Sequence, residues 1–188
     1  MAARLLEFPL AETVSPRPGD PELAEAARHG DKSAFSELVR RHQGTVRGMM
    51  RRLSGGSQAD ADDLAQMTFL QAWRRIDTYR GGTVRSWLCT IAYREFLQKR
   101  RGDRNYETGG EADHEAADPG NPSIRFDTDR AIAGLPNDQR TAIILSIAIG
   151  MSHGEISAAT GWPLGTVKSH LSRGKAALRE KLAVYGAA

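Results

Sequence analysis

The last forty residues carry the pattern that most constrains the fold of this chain. Ser152 is followed three residues later by Glu155, a capping box that defines the start of a helix. Gly161 stands where a chain leaving a helix needs a positive φ, and Pro163 prevents simple continuation. In the helix that follows, spacings of four, seven and four residues place four apolar side chains on one side: Val167, Leu171, Leu178 and Leu182. The pattern predicts a helix-turn-helix, whose second helix is suited to a DNA major groove.

The other faces of that second helix carry basic and hydroxyl side chains. We expect the following to contact duplex DNA: Thr166, Lys168, Ser169, His170, Arg173 and Lys175. The N-terminal residues of such a helix reach base edges, so Lys168 and His170 are expected to set base preference. Arg173 and Lys175 lie further along the helix and are expected to contact phosphates. The alternative is a surface helical hairpin with ordinary solvated charges.

Charge alternates along the chain. Residues 22–101 hold 15 Lys and Arg against 9 Asp and Glu, a net of +6. Residues 102–129 hold 2 against 8, a net of −6, and residues 130–188 hold 7 against 3, a net of +4. Two basic blocks joined by an acidic one suggest two modules that face a polyanion and a linker that avoids it.

Several classes of protein are disfavoured by what the sequence lacks. Cys89 is the only cysteine, so an internal disulfide is excluded, and we interpret it as a small core residue rather than a redox switch. We expect no metal site and no cofactor, because the scattered histidines do not pair with cysteines or carboxylates at ligand spacing. No apolar run is long enough to cross a membrane, and residues 1–19 lack the apolar core of a signal peptide, which predicts a cytoplasmic protein.

The periodicity of apolar residues is helical wherever it is regular. We expect a loose extension over residues 1–19 and a first helical domain over 20–101, whose third helix spans about 59–76 and whose fourth spans about 84–101. Residues 102–128 show no period and are rich in Gly, Pro, Asp and Glu, which predicts a flexible acidic linker. Helical periodicity returns over 129–188. No segment alternates with period two, so the fold class is all-α, with two small helical domains.

A second surface suited to nucleic acid follows the third helix. Aromatic rings and cations interleave there, a combination that suits unstacked bases because every base offers a face to stack on. The residues are Tyr79, Arg80, Arg85, Trp87, Tyr93, Arg94, Phe96, Lys99, Arg100 and Arg101. The alternative is that Trp87 and Ile91 are core residues and that the terminal cations only complement the helix dipole.

Apolar residues cover more of the circumference of the third helix than a single buried face would require. Phe69, Leu70 and Trp73 share its length with Asp62, Asp63 and Gln66. Such a helix often has a second partner. The alternative is a helix that is simply well buried in a bundle.

Four segments, in order along the chain, resemble one known family. Residues 60–74 resemble the core-polymerase-binding helix of the extracytoplasmic-function (ECF) sigma factors of bacterial RNA polymerase, and residues 86–92 resemble the helix that follows it. Residues 135–140 and 165–175 resemble the second domain of that family. The resemblance covers about residues 20–101 and 129–182, with the linker in the expected place.

The resemblance implies a partner for each part of the chain. The third helix would bind core RNA polymerase, whose β′ and β subunits are the implied partners, and would dock on the β′ coiled coil. The contact residues would be Asp62, Asp63, Gln66, Phe69, Leu70 and Trp73. The aromatic and basic surface would hold the single-stranded −10 element of the promoter, and the second helix of the helix-turn-helix would read the double-stranded −35 element. The acidic linker would run near the RNA exit path. The family also implies a stress response and an inhibitory anti-sigma factor.

The chain departs from the family pattern at several positions. Met67 stands where an acidic residue is usual, which removes one polar contact to polymerase, and Lys175 replaces a usual arginine and loses its bidentate fork. The stretch Tyr93-Arg94-Glu95 replaces one that commonly contains asparagine, so the −10 base preference does not carry over. Ser157 and Thr160 replace alanine and an apolar residue, which predicts a less stable second domain.

Two other classes compete with this interpretation. A helix-turn-helix regulator with a sensory N-terminal domain would bind DNA without polymerase, which neither the acidic linker nor the second basic surface favours. An enzyme would need a nucleophile–base pair, a phosphate-binding glycine loop or a metal cluster. We find none of these in the sequence and expect no catalytic residues.

Overall fold

The computed structural model describes residues 18–55, 57–106 and 124–183. Most of the extension predicted over residues 1–19, and residues 107–123 of the predicted linker, lie outside these ranges. The described residues contain no strand, and the all-α prediction is confirmed. The α-helices are α1 (Asp20–Arg28), α2 (Lys32–Leu53), α3 (Gln58–Arg74), α4 (Val84–Tyr106), α5 (Ile124–Ala133), α6 (Asn137–Ile143), α7 (His153–Thr160) and α8 (Leu164–Ala183).

Helices α1 to α4 form the first bundle. The chain turns between α1 and α2 at Gly30, whose φ of 92° suits a residue without Cβ. Asp31 then caps α2, because its carboxylate accepts hydrogen bonds from the backbone of Ser33 and Ala34. The apolar stripe of α2 packs against α1, α3 and α4, with Leu38 and Met50 fully buried.

Some helix boundaries differ from those that the sequence predicts. Helix α4 continues past Gly102 to Tyr106, because this glycine keeps helical backbone and faces solvent, where it only weakens a helix. Helix α5 begins at Ile124, inside the predicted linker. The third helix ends at Arg74, and Ile76–Thr78 form a separate 3-10 turn.

The second bundle contains α5 to α8. The apolar stretch after Pro136 is divided into α6 and a π-helical segment, Ile144–Ala148. Helix α8 packs closely on α6 at Gly174, where an added Cβ would lie 2.7 Å from Cγ1 of Ile143. The buried apolar residues of both bundles form one contiguous core, since α2 contacts α5 and the π-helical segment while α4 contacts α7.

Candidate nucleic-acid and protein interfaces

An apolar groove opens between α2 and α3, with a volume of about 470 Å³. We call it the α3 groove; it is lined by Phe35, Val39, Gln43, Arg47, Ala65, Gln66, Phe69, Leu70 and Trp73. The rings of Phe35 and Trp73 lie 5.0 Å apart between centroids, which joins the two helices along the groove. Leu70 remains 53% exposed, so the groove presents apolar surface that the described residues leave uncovered.

The six residues predicted on α3 fall into two groups. Gln66, Phe69, Leu70 and Trp73 line the groove. The two carboxylates lie nearer the start of the helix, where Asp63 is exposed and Asp62 pairs with Arg47 across 3.2 Å. That pair lacks hydrogen-bond geometry, because Oδ1 of Asp62 has no hydrogen-bond partner among the described residues. Met67, the departure from the family pattern, is an exposed apolar side chain on the same helix.

Helix α2 contributes a wall of this groove that its sequence did not predict. Phe35 and Val39 have the helical spacing of a buried stripe, yet both are only half-buried. The apolar stripe of α2 is wider than packing against one face requires, and this width could have indicated that part of it is left exposed.

The aromatic residues of the predicted single-strand surface are mostly buried. Tyr79 is packed edge-on against Trp87, with centroids 5.7 Å apart, and its hydroxyl donates to the carbonyl of Gly82 at 2.8 Å. The indole Nε1 of Trp87 donates to Oγ1 of Thr78 at 3.2 Å. These contacts fix the loop between the 3-10 turn and α4, and only Trp87 of this pair stays partly accessible.

The cations of this surface divide by exposure. Arg80, Arg85, Arg94 and Arg101 are exposed along the loop and α4. Lys99 is half-buried and bonded to the carboxylate of Asp60, while the guanidinium of Arg100 lies 5.8 Å from the centroid of Phe96. The structure therefore leaves four arginines exposed along the loop and α4, while the rings of Tyr79, Tyr93 and Phe96 are covered in this arrangement.

Tyr93 and Phe96 lie against the second bundle. They are 5% and 6% exposed. The side chain of Thr141 on α6 lies beside the Tyr93 hydroxyl, and burial raises the pKa of Tyr93 above its usual value. In this arrangement neither ring offers a face to a base.

The helix-turn-helix has the geometry that its sequence predicts. Oγ of Ser152 accepts from the backbone of Glu155, whose carboxylate accepts from the backbone of Ser152. Gly161 has a φ of 78°, the left-handed conformation expected at the end of α7. Val167 and Leu171 are buried, while Lys168, Arg173 and Lys175 are exposed and Thr166, Ser169 and His170 are half-buried.

Ser157 and Thr160, the two departures in α7, hold the turn that follows it. Oγ of Ser157 donates to the carbonyl of Trp162 at 2.6 Å. Oγ1 of Thr160 donates to the carbonyl of Ile156 and accepts from the backbone N–H of Trp162. Both hydroxyls are therefore hydrogen-bonded, which removes the main cost of burying them and the reason for expecting a less stable domain.

One further chemistry-bearing group is the thiol of Cys89. Cys89 is buried, and burial raises the pKa of its thiol to about 12, which suits a core residue. Over residues 18–55, 57–106 and 124–183, no cluster of three His, Cys, Asp or Glu side chains could hold a metal ion. No helix within those ranges is long and apolar enough to cross a membrane.

Family models match both bundles. The Sigma-70 region 2 model matches residues 38–106, and the Sigma-70, region 4 model matches residues 125–178. The ECF RNA polymerase sigma factor SigE of Mycolicibacterium smegmatis is 35% identical over 97% of this chain and 76% of its own length. The ECF RNA polymerase sigma-E factor of Escherichia coli K12 is 34% identical over 87% of this chain and 94% of its own.

Solved structures agree with these matches. The sigma factor RpoE, in complex with the anti-sigma factor NepR from Bartonella quintana, superposes with a TM-score of 0.66. It is 31% identical, and the match covers 80% of this chain and 97% of RpoE. CnrH, in complex with the cytosolic domain of CnrY, gives a TM-score of 0.62 at 26% identity, covering 88% of this chain and 97% of CnrH.

The two bundles thus correspond to regions 2 and 4 of the Sigma-70 proteins, which are transcription initiation factors. The chain belongs to this family, in its ECF group, and is an alternative sigma factor of RNA polymerase.

Proposed function

We propose that the first bundle binds core RNA polymerase through the α3 groove and the carboxylates beside it. The observation that carries this proposal is the uncovered apolar surface around Leu70, flanked by the exposed Asp63. An apolar centre with charged groups at its rim is the usual composition of a protein interface. Asp62, Gln66, Phe69 and Trp73 complete the proposed contact with the β′ coiled coil.

Promoter DNA is assigned to the two basic surfaces. The four exposed arginines of the loop and α4 hold the single-stranded −10 element, joined by Trp87 and by the rings of Tyr79, Tyr93 and Phe96 where these become accessible. Helix α8 faces the double-stranded −35 element through Thr166, Lys168, Ser169, His170, Arg173 and Lys175. In this proposal the protein acts in the cytoplasm, where the polymerase is, and performs no catalysis of its own.

An anti-sigma factor is the proposed regulator, and a stress signal its proposed control. Two relatives of known structure form complexes with partners, NepR on RpoE and the cytosolic domain of CnrY on CnrH. The α3 groove is suited to such a partner, because an inhibitor bound there would exclude polymerase.

The test is the affinity of the full chain for core polymerase. Asp63→Arg reverses a charge at the rim and Leu70→Ala removes exposed apolar surface, so both should weaken core binding while the chain stays folded. Glu180→Arg is the matched control, since this exposed carboxylate of α8 lies outside the groove. Core affinity for Asp63→Arg and Leu70→Ala equal to that of the control would contradict the proposal.

A further inference from the structure

The loop that joins the 3-10 turn to α4 contains two adjacent glycines in open space. We call residues 79–83 the glycine loop. Gly81 and Gly82 have φ values of 94° and 77°, and no atom lies within 4 Å of the position that a Cβ would take on either. Glycine gives a chain more conformational freedom than any other residue. A fixed shape of this loop therefore has to come from contacts that other residues make.

Tyr79 supplies such a contact across the two glycines. Its hydroxyl donates a hydrogen bond of 2.8 Å to the carbonyl of Gly82, and no other hydrogen bond among the described residues reaches either glycine. The ring is only 7% exposed and packs edge-on against Trp87. Burial raises the pKa of Tyr79, so the hydroxyl keeps its proton and remains a donor.

Other hydrogen bonds fix the two ends of the glycine loop. On one side, Nε1 of Trp87 donates to Oγ1 of Thr78, which itself donates to the carbonyl of Arg75 at 2.7 Å. On the other side, Oγ1 of Thr83 accepts from the backbone N–H of Ser86 in the first turn of α4. The ends are thus held independently of Tyr79, whereas the glycines between them depend on its hydroxyl.

The shape of the loop decides what it presents to DNA. Arg80 and Arg85 are exposed on either side of the glycines, whose peptide groups lack side chains that would cover them. One N–H of the Arg80 guanidinium donates to the carbonyl of Asp77 at 2.5 Å. A guanidinium has five N–H donors, so others remain for a phosphate. The two cations and the open peptide groups keep a constant spacing only while the loop keeps its shape.

We infer that Tyr79 is a positioning residue for the −10 strand, whose hydroxyl holds the glycine loop in the form that receives a base while its ring stays covered. This inference rests on the proposed function. A chain without this hydrogen bond has a loop that samples other shapes. Its apparent affinity for DNA then falls with the fraction of chains whose loop is in the binding form.

The experiment removes the hydroxyl alone. Tyr79→Phe keeps the ring against Trp87, and the full chain is used in complex with core polymerase. The probe is a fluorescein-labelled promoter fragment whose −10 segment is already single-stranded, and anisotropy gives its affinity. Loss of one net hydrogen bond should weaken binding by about two- to tenfold.

A series of abasic fragments separates positioning from general damage to the fold. Each fragment lacks one −10 base, and the Tyr79→Phe and abasic changes form a double-mutant cycle at each position. The loss caused by Tyr79→Phe should shrink at the position whose base the loop receives, because that fragment has no base to place there. At the other positions the loss should remain two- to tenfold.

Thr68→Val is the matched control. It removes a hydrogen bond of the same kind, from a buried hydroxyl to the carbonyl of Leu64 at 2.7 Å, within α3 and away from the loop. This variant should have a lower melting temperature than the wild type and bind every fragment as the wild type does.

Affinity of Tyr79→Phe equal to that of Thr68→Val, or an equal loss for every abasic fragment, would overturn the inference. Either result would leave the proposed function standing as long as the wild-type complex binds the single-stranded −10 segment more tightly than core polymerase alone. A wild-type complex without that advantage would instead overturn the proposed assignment of the −10 element.

Discussion

Trp162 and His170 are in contact across the turn of the helix-turn-helix, with ring centroids 4.8 Å apart. The hydrogen bonds of Ser157 and Thr160 hold the backbone of Trp162, and the indole that this backbone carries lies against the imidazole. Nδ1 of His170 is buried without a hydrogen-bond partner among the described residues. A proton on this buried nitrogen would leave an N–H group without a hydrogen bond, which is unfavourable. The imidazole therefore favours the tautomer that carries its proton on Nε2, and this N–H can donate to DNA.

This contact predicts that Trp162 acts on base preference through His170. In complexes of the chain with core polymerase, His170→Ala should cost about 1–3 kcal/mol at one −35 base pair. Trp162→Ala should relax preference at that same base pair, whereas Trp162→Phe, which keeps a ring beside the imidazole, should retain it. The measurement is binding to a series of −35 promoter variants at several salt concentrations.

Arg173→Ala provides the comparison for that series. Loss of a phosphate contact should weaken all promoter variants alike and reduce the salt slope by about one. If Arg173→Ala relaxes one base pair while His170→Ala weakens every site equally, the two roles are reversed.

At the scale of the elements, two glycines inside helices show how differently the same residue is used. Gly174 allows α8 to approach α6, because an added Cβ would lie 2.7 Å from Cγ1 of Ile143 and 3.4 Å from the carbonyl of Gln139. Gly44 lies inside α2 with no atom within 4 Å of the corresponding position. The first is required by packing and the second is not.

Replacing each of these glycines by alanine should therefore change stability in opposite directions. Gly174→Ala should lower the free energy of unfolding by about 1–3 kcal/mol through overpacking. Gly44→Ala should raise it by about 0.5–1 kcal/mol, because alanine loses less backbone entropy in a helix. Denaturant unfolding followed by circular dichroism measures both. A Gly174→Ala protein as stable as wild type would show that α6 and α8 can separate at no cost.

The elements that local chemistry specifies were predictable from the sequence. The capping box at Ser152, the left-handed Gly161 and the apolar stripe of α8 all occur where their spacing indicates. The α6–α8 contact at Gly174 was not, because a glycine in a helical pattern does not reveal what approaches it. For the same reason, the sequence did not predict that α2 lines the α3 groove. An apolar stripe predicts that a helix face is covered, but not what fraction of that face is covered.

At the scale of the whole molecule, the two basic blocks correspond to the two helical bundles. Their buried residues join in one core that runs from α1 to α8, a contact that the charge pattern does not reveal. Tyr93 and Phe96 are where the sequence is ambiguous. An aromatic residue next to arginines has the same pattern whether it stacks on a base or packs against another helix, and only the arrangement of the bundles decides between them.

A continuous core predicts that the two bundles share their stability. Gly174→Ala weakens the second bundle, so it should also lower the protection of amides in α2, which α5 and the π-helical segment contact. Asp129 of α5 pairs with Arg52 at 2.8 Å and with Arg51 at 3.2 Å near the end of α2. Asp129→Lys turns these attractions into repulsions and should weaken the contact between the bundles, so in that background Gly174→Ala should lower α2 protection by less. Native-state hydrogen exchange of the four chains measures this coupling as a double-mutant cycle. Equal effects of Gly174→Ala on α2 in both backgrounds would mean that the Asp129 ion pairs do not hold the bundles together.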